Sequence, residues 1–212
     1  MGTQLNKIEL IQDYFDELYP EAHCELTYHK DYEFLIAVMF SAQCTDKKVN
    51  KVTDVLFSKY KTLKELDLAP IEDIESIIKP LGLYKNKAKN LKGICRVLLE
   101  NFNGIVPDDK LKLTTLPGVG TKTANVCLIE LFKIPAFPVD THVRRVSNRL
   151  GLVSTTDVSK IEIALMKQFP KEKRIKLHHQ FIFFGRYYCK ALSPNCANCK
   201  IRGICKEKCK NL

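Results

Sequence analysis

The chain has 212 residues, a formal net charge of +10 and a pI near 9.1. That length can bury a real core, as one large domain or two small ones, and the positive balance reads equally as an anionic partner, nucleic acid ahead of a membrane surface, or as a lysine-rich solvated surface. No apolar run approaches the ~20 residues of a membrane span, and residues 5–18 mix Lys, Glu and Asp with apolar residues every three or four positions, which is an amphipathic helix and not a signal peptide. A cytoplasmic protein with no membrane partner is the expectation.

Taken in order, the chain is dominated by helical periodicity. The helix over 5–18 is followed by a turn around Pro20 and a buried helix over 32–40. Ser41-Ala42-Gln43-Cys44-Thr45-Asp46 is a polar break, in which Thr45 or Asp46 can cap a helix over 47–60. Thr62 and Glu65 have capping-box spacing for a short helix. A helix over 71–78 is stopped by Pro80 and Gly82, and a long amphipathic one over 88–102 ends at Asn103-Gly104. Residues 107–113 lead into Leu116-Pro117-Gly118-Val119-Gly120-Thr121-Lys122-Thr123 and a helix over 121–132. Helices over 140–150, 157–169 and 173–188 follow. No strand alternation stands out, so the expected fold class is all-α, with about ten helices.

The stretch from Leu116 to Thr123 has a definite physical meaning. Gly118 and Gly120 permit a hairpin tight enough for backbone N–H groups to point outward. A hairpin feeding a helix N-terminus attracts a phosphate through unpaired N–H groups and the positive dipole end. Residues 111–132 thus read as helix, hairpin, helix, a unit that holds a DNA backbone phosphate without reading sequence; a glycine-rich helical corner is the plainer alternative. Lys122 falls in the first helical turn, where the dipole opposes its charge. It can be a phosphate contact or a nucleophilic amine. Asp140 precedes Val143, Val146 and Leu150 at helical spacing, so on its own it reads as a helix cap.

Five of the nine cysteines fall at 189, 196, 199, 205 and 209. Clustering of this kind points to metal before disulfides. Cys24, Cys44, Cys95 and Cys127 stand singly and read as buried thiols. Zinc sites usually pair two Cys-x2–4-Cys units, and here only Cys196 and Cys199 make one, whereas iron–sulfur spacings are more varied. After Lys190 the tail offers only Leu192, Ile201 and Ile204 for burial, too little to fold unaided.

Several motifs in order resemble the endonuclease III family of DNA glycosylases, across nearly the whole chain. They are Ser41-Ala42-Gln43 with Thr45-Asp46, Gly82-Leu83-Tyr84 with Lys87-Ala88, and Leu116 to Gly120 with Lys122-Thr123-Ala124-Asn125. Val139-Asp140-Thr141-His142-Val143 with Arg145-Val146, then Gly185-Arg186, and the cysteine spacing x6, x2, x5 complete the set. The resemblance implies two α-helical domains with double-stranded DNA bound in the cleft between them: a six-helix barrel with the helix-hairpin-helix over 22–133, and an iron–sulfur domain from 1–21 and 134–212. It implies a monomeric bifunctional N-glycosylase and abasic-site lyase that removes oxidised pyrimidines and cuts 3′ of the lesion by β-elimination, with no nucleotide cofactor.

By the same resemblance Lys122 is the amine that attacks C1′. An amine must be neutral to attack, and both desolvation in a closed cleft and the positive end of a helix favour that form. Asp140 is the essential carboxylate, relaying a proton or stabilising charge on the sugar. Gly118, Val119, Gly120 and Thr121 hold the DNA backbone. Gln43 and Leu83 fill the gap left by an extruded base; taken alone, Leu83 would be a core residue. Asp46 and His142 lie near the base pocket, or are simply a cap and a core histidine. Cys189, Cys196, Cys199 and Cys205 hold a [4Fe-4S] cluster, and Cys209 is spare. Two departures stand out. Between the first two cysteines the loop 190–195 carries one cation, Lys190, so Lys200, Arg202, Lys206, Lys208 and Lys210 are the alternative sources of charge toward DNA. Phe184 stands where many members have His, and is expected to pack. The rivals are a monofunctional mismatch glycosylase, against which Lys122 and a chain end at 212 argue, and a non-enzymatic DNA-binding or redox-sensing iron–sulfur protein.

Overall fold

The structure, a computed structural model, describes residues 2–207, with side chains from Lys7 onward. Lys208, Cys209 and Lys210 lie outside the described residues. No helix among the described residues is long and apolar enough to cross a membrane. Those residues form eleven α-helices joined by short turns and contain no strand. The chain divides into two compact units: Glu25–Phe132, and Met1–Cys24 together with Lys133–Leu212.

In the first of these units, α2 (Asp31–Phe40) is the buried axis. Every residue from Glu33 to Phe40 is buried, and α2 packs against α3 (Asp46–Lys59), α6 (Tyr84–Asn101) and α8 (Thr121–Leu131). A helix that is apolar on all sides is stable only when surrounded. The short helices α4 (Leu63–Leu68) and α5 (Ile71–Ile78) cover α6, and α7 (Lys110–Thr114) covers α8. Thr62 caps α4, accepting from the Glu65 N–H at 3.1 Å, while the Glu65 carboxylate takes the N–H of Lys61 at 2.7 Å. The reciprocal bond therefore lands one residue further back than in a regular capping box.

Two boundaries differ from expectation for a stated reason. Helix α6 starts at Tyr84, four residues before the expected Ala88, because Lys85, Asn86 and Lys87 hide the apolar period at its start. The helix expected over 173–188 is α-helical only from Arg174 to Phe183 (α11); Phe184–Tyr188 closes as a π-turn. Its wider ring, closed by the Cys189 N–H on the Phe184 carbonyl at 2.6 Å, turns the chain before the first clustered cysteine.

The second unit combines α1 (Gly2–Leu18), α9 (Thr141–Arg149), α10 (Val158–Gln168) and α11. Its core is aromatic. Phe15 meets Phe181 at 5.0 Å and Phe184 at 4.8 Å, and Phe137 meets Phe181 at 5.5 Å, mostly edge to face. Phe184 is 1% exposed and stacks on Tyr188 at 5.2 Å, so it packs as expected. The tail adds one well-buried apolar residue, Ile201, and is tied down by polar links. Lys200 pairs with Glu17, Arg149 with Glu207 at 2.8 Å, and the Lys206 N–H meets the Arg149 carbonyl at 2.7 Å.

Candidate functional site

Helix α7, a turn over 115–120 and α8 form the helix-hairpin-helix in the first unit. Gly118 has φ +74°, the left-handed region that suits glycine, and a Cβ there would lie 2.4 Å from Asn90 Nδ2 on α6. Gly93 on the same helix is also closely approached, since its Cβ would meet Pro117 Cγ at 2.8 Å. The turn is thus pressed against α6 at two glycines. Gly120 is different from expectation: its φ is −88° and ψ 178°, an extended conformation open to any residue, and a Cβ there meets nothing. Gly118 alone is required by backbone geometry; Gly120 leaves open space before α8. Gly118→Ala is expected to cost about 1–3 kcal/mol from the strained φ and the Asn90 contact. It lowers the thermal midpoint and weakens duplex DNA binding together; an unchanged midpoint would contradict this assignment.

Val119 is buried at 5% exposure, so only its backbone can face a ligand. Thr121 and Lys122 are exposed, and the first turn of α8 contains no acidic residue. Gly120 caps the helix with no side chain. This end of α8 is therefore positive from its dipole and from Lys122.

Gln43 and Leu83 are both exposed, Leu83 at 59%, and both adopt left-handed backbone, with φ +59° and +48°. For side chains of this size that conformation is strained. Leu83 is therefore no core residue. Asp46 is half-buried and opens α3 behind Thr45, which caps it through backbone alone. Cys95 and Cys127 are buried thiols; Cys24 and Cys44 are only half-buried, contrary to expectation. The Cys44 thiol donates to the Leu81 carbonyl at 2.7 Å.

Sequence reasoning passed over Lys87 except as part of a motif. It is 4% exposed, and its ammonium donates to the carbonyls of Phe40 at 2.8 Å, Ala42 at 3.0 Å and Leu81 at 3.2 Å, with Cys44 Sγ at 3.5 Å. The signal was available in register. Lys87 precedes Leu91, Ile94 and Leu98 at steps of four, three and four, on the fully buried stripe of α6.

In the second unit Asp140 caps α9, its Oδ1 accepting from the Val143 N–H at 2.7 Å. It is half-buried, so the carboxylate is both held and accessible. His142 is half-buried; burial first of all pushes its pKa below the ordinary value, which favours the neutral ring. Arg145 Nη2 lies 3.3 Å from His142 Nδ1 and donates to the carbonyls of Gly185 at 2.7 Å and Cys189 at 3.2 Å. Gly185 is needed for close approach, since a Cβ there would lie 2.8 Å from His142 Cβ. Lys122 and Asp140 belong to different units.

Cys189, Cys196, Cys199 and Cys205 line one cavity with Leu150, Phe184 and Tyr188; it holds about 370 Å³ of empty space, part of it open to solvent. Among the described residues no three His, Cys, Asp or Glu side chains converge so as to hold one metal ion. Burial pushes the Cys199 thiol up to about 11 and raises Cys189, which Arg149 Nη1, 3.5 Å from its sulfur, partly offsets. The loop between the first two cysteines is fixed by Arg149 to the carbonyl of Lys190 at 2.7 Å and carries Leu192 at 85% exposure.

A helix-hairpin-helix in one unit and a four-cysteine cavity in the other define a class, and comparison with known proteins agrees. The profile of the HhH-GPD superfamily of base excision DNA repair proteins matches residues 36–171. Endonuclease III of Bacillus subtilis (strain 168) is 47% identical over 204 residues, 96% of this chain and 93% of that protein. Endonuclease III of Escherichia coli (strain K12) is 42% identical over 189 residues, 89% of this chain and 90% of that protein. A trapped endonuclease III–DNA covalent intermediate with an estranged adenine superposes with TM-score 0.91 at 48% identity, covering 95% of each chain. A thermostable thymine-DNA glycosylase shares the fold, with TM-score 0.84 at 24% identity over 95% of this chain and 96% of that one. The chain belongs to the endonuclease III family, and is a DNA glycosylase with abasic-site lyase activity in base excision repair.

Proposed function

We propose that the enzyme removes oxidised pyrimidines from double-stranded DNA through a Schiff base on Lys122 and cuts 3′ of the resulting abasic site by β-elimination. The observation that carries this reading is the exposed Lys122 amine in the first turn of α8, immediately after a hairpin whose Gly118 conformation only glycine adopts easily. The N–H groups of Gly118 to Thr121 and the helix dipole hold the DNA backbone phosphate, which places the lesion sugar by a contact independent of sequence. The partner is duplex DNA containing damaged pyrimidines or abasic sites. The enzyme acts as a cytoplasmic monomer at the nucleoid.

Each step balances. The Lys122 Nζ lone pair forms a bond to C1′, the glycosidic bond breaks, and the base leaves with that electron pair and a proton. Asp140 takes a proton from the amine or stabilises positive charge on the sugar. Ring opening gives a protonated imine, loss of a C2′ proton expels the 3′ phosphate, and water releases the unsaturated sugar and restores the amine. Base extrusion precedes this chemistry. Gln43 and Leu83 enter the stack from two loops, Gln43 to hydrogen-bond the orphaned base and Leu83 to replace stacking. Asp46 and the neutral His142 border the base pocket.

The four cysteines fit a [4Fe-4S] cluster. Four thiols that line one cavity would suit a cluster, whose corners take one sulfur each. Cys189, Cys196, Cys199 and Cys205 would hold the cluster, which would supply a structural link fastening the tail to α9 and α11 and not a Lewis acid. Purified protein is expected to contain about four irons per chain with a broad visible absorption, and to lose thermal stability when the cluster is stripped; stoichiometric zinc without iron would contradict this. On duplex containing thymine glycol the enzyme is expected to release the base and nick 3′ of the site in step. Release without nicking would favour the monofunctional reading, and binding with neither a DNA-binding module.

A further inference from the structure

We infer that Lys87 is a positioning residue that locks the two loops carrying Gln43 and Leu83 into one rigid tool for opening the duplex; this rests on the wedge reading of those two residues. The ammonium sits between the loops. From the first it takes the carbonyls of Phe40, at the end of α2, and of Ala42, the residue immediately before Gln43. From the second it takes the carbonyl of Leu81, two residues before Leu83. The Lys87 backbone N–H adds a bond to the Leu83 carbonyl at 3.0 Å. Cys44 Sγ completes the shell and itself donates to Leu81, a second link between the same loops.

Three features argue against an ordinary core lysine. Burying an ammonium costs several kcal/mol unless it is well paired, yet Lys87 takes a position on the Leu91, Ile94 and Leu98 stripe where an apolar residue would pack at no such cost. Its partners are three loop or helix-end carbonyls that no α-helix satisfies internally, so the charge stabilises an irregular backbone. The two residues it braces are exposed and left-handed, a strain that persists only where surroundings over-determine the backbone. A rigid pair of loops lowers the entropy lost when both enter the base stack together. Lys87 touches no DNA in this scheme and acts only through the loops.

The test compares Lys87→Met, which keeps the stem and removes the donors, with the double variant Gln43→Ala/Leu83→Ala, alone and combined. Each is assayed for base release under single turnover on a duplex in which thymine glycol is paired with adenine, and on the same duplex with a one-nucleotide gap opposite the lesion, where no pair has to be parted. Lys87→Met is expected to lose tenfold or more on the paired duplex and less than twofold on the gapped one, and to add nothing to the double variant. Equal losses on both substrates, or losses that multiply in the combination, would overturn the inference while leaving the wedge reading intact. A double variant unaffected on paired duplex would remove the wedge reading and this inference with it. Lys87→Gln, which keeps a donor at shorter reach, is expected to lose less than Lys87→Met and supplies the same comparison if the methionine variant does not fold.

Discussion

Lys122→Ala is expected to abolish strand cleavage and covalent trapping while leaving the fold untouched. Removing the amine proposed to form the bond to C1′ leaves water as the nucleophile, and the lyase rate is expected to fall by about a thousandfold or more. Stability should not fall with it. Lys122 is exposed and stands in the first turn of α8, where its charge opposes the dipole, so alanine there is neutral or stabilising by a few tenths of a kcal/mol. Duplex binding should weaken only modestly, since the backbone N–H groups of the hairpin remain and one cation is lost. The check is a single-turnover rate on abasic duplex beside a thermal melt. Loss of rate together with a large drop in the melting midpoint would mean that Lys122 is structural, and loss of binding in proportion to rate would make it a phosphate contact.

Asp140 caps α9, and two substitutions separate that role from the chemical one proposed for it. Asparagine caps a helix about as well as aspartate, so Asp140→Asn should keep the bond to the Val143 N–H and hold the melting midpoint close to wild type. It removes the charge that takes a proton or stabilises the sugar, and the rate of base release is expected to fall about 10²- to 10⁴-fold. Asp140→Ala loses the cap as well, costing about 1 kcal/mol of stability, with a similar loss of rate. Wild-type activity in Asp140→Asn would leave Asp140 as a cap and nothing more. The glycosylase step is the one to assay, because a pre-formed abasic site no longer needs the departing base.

Helix α2 was legible as a buried element because Phe34 to Phe40 is an unbroken apolar run, and Asp140 as a cap was legible because Val143 and Val146 follow at helical spacing. The hairpin was legible from its glycines, although only Gly118 needs the left-handed conformation. What escaped were features set by tertiary contact. Lys87 reads as surface charge in any local window, and only its register with Leu91, Ile94 and Leu98 betrays a buried position. Leu83 read alone as core, and the structure exposes it, because Gly82 and Leu83 both turn left-handed ahead of α6. The π-turn over Phe184–Tyr188 has no local signature at all. It arises where the last helix hands the chain to Cys189. The cysteine spacing points to a shared centre, and the four thiols line one cavity.

The most direct measurement is the mass of the peptide that carries DNA after borohydride reduction of the enzyme on a duplex containing thymine glycol. Reduction turns the imine into a stable amine and marks the nitrogen that made it. The expected product is a single tryptic peptide spanning residues 113–133 with the sugar on Lys122, where the modification blocks cleavage, and no adduct from Lys122→Ala. An adduct on another lysine or on the terminal amine, or base release with no adduct at all, would contradict the lysine mechanism proposed for this chain.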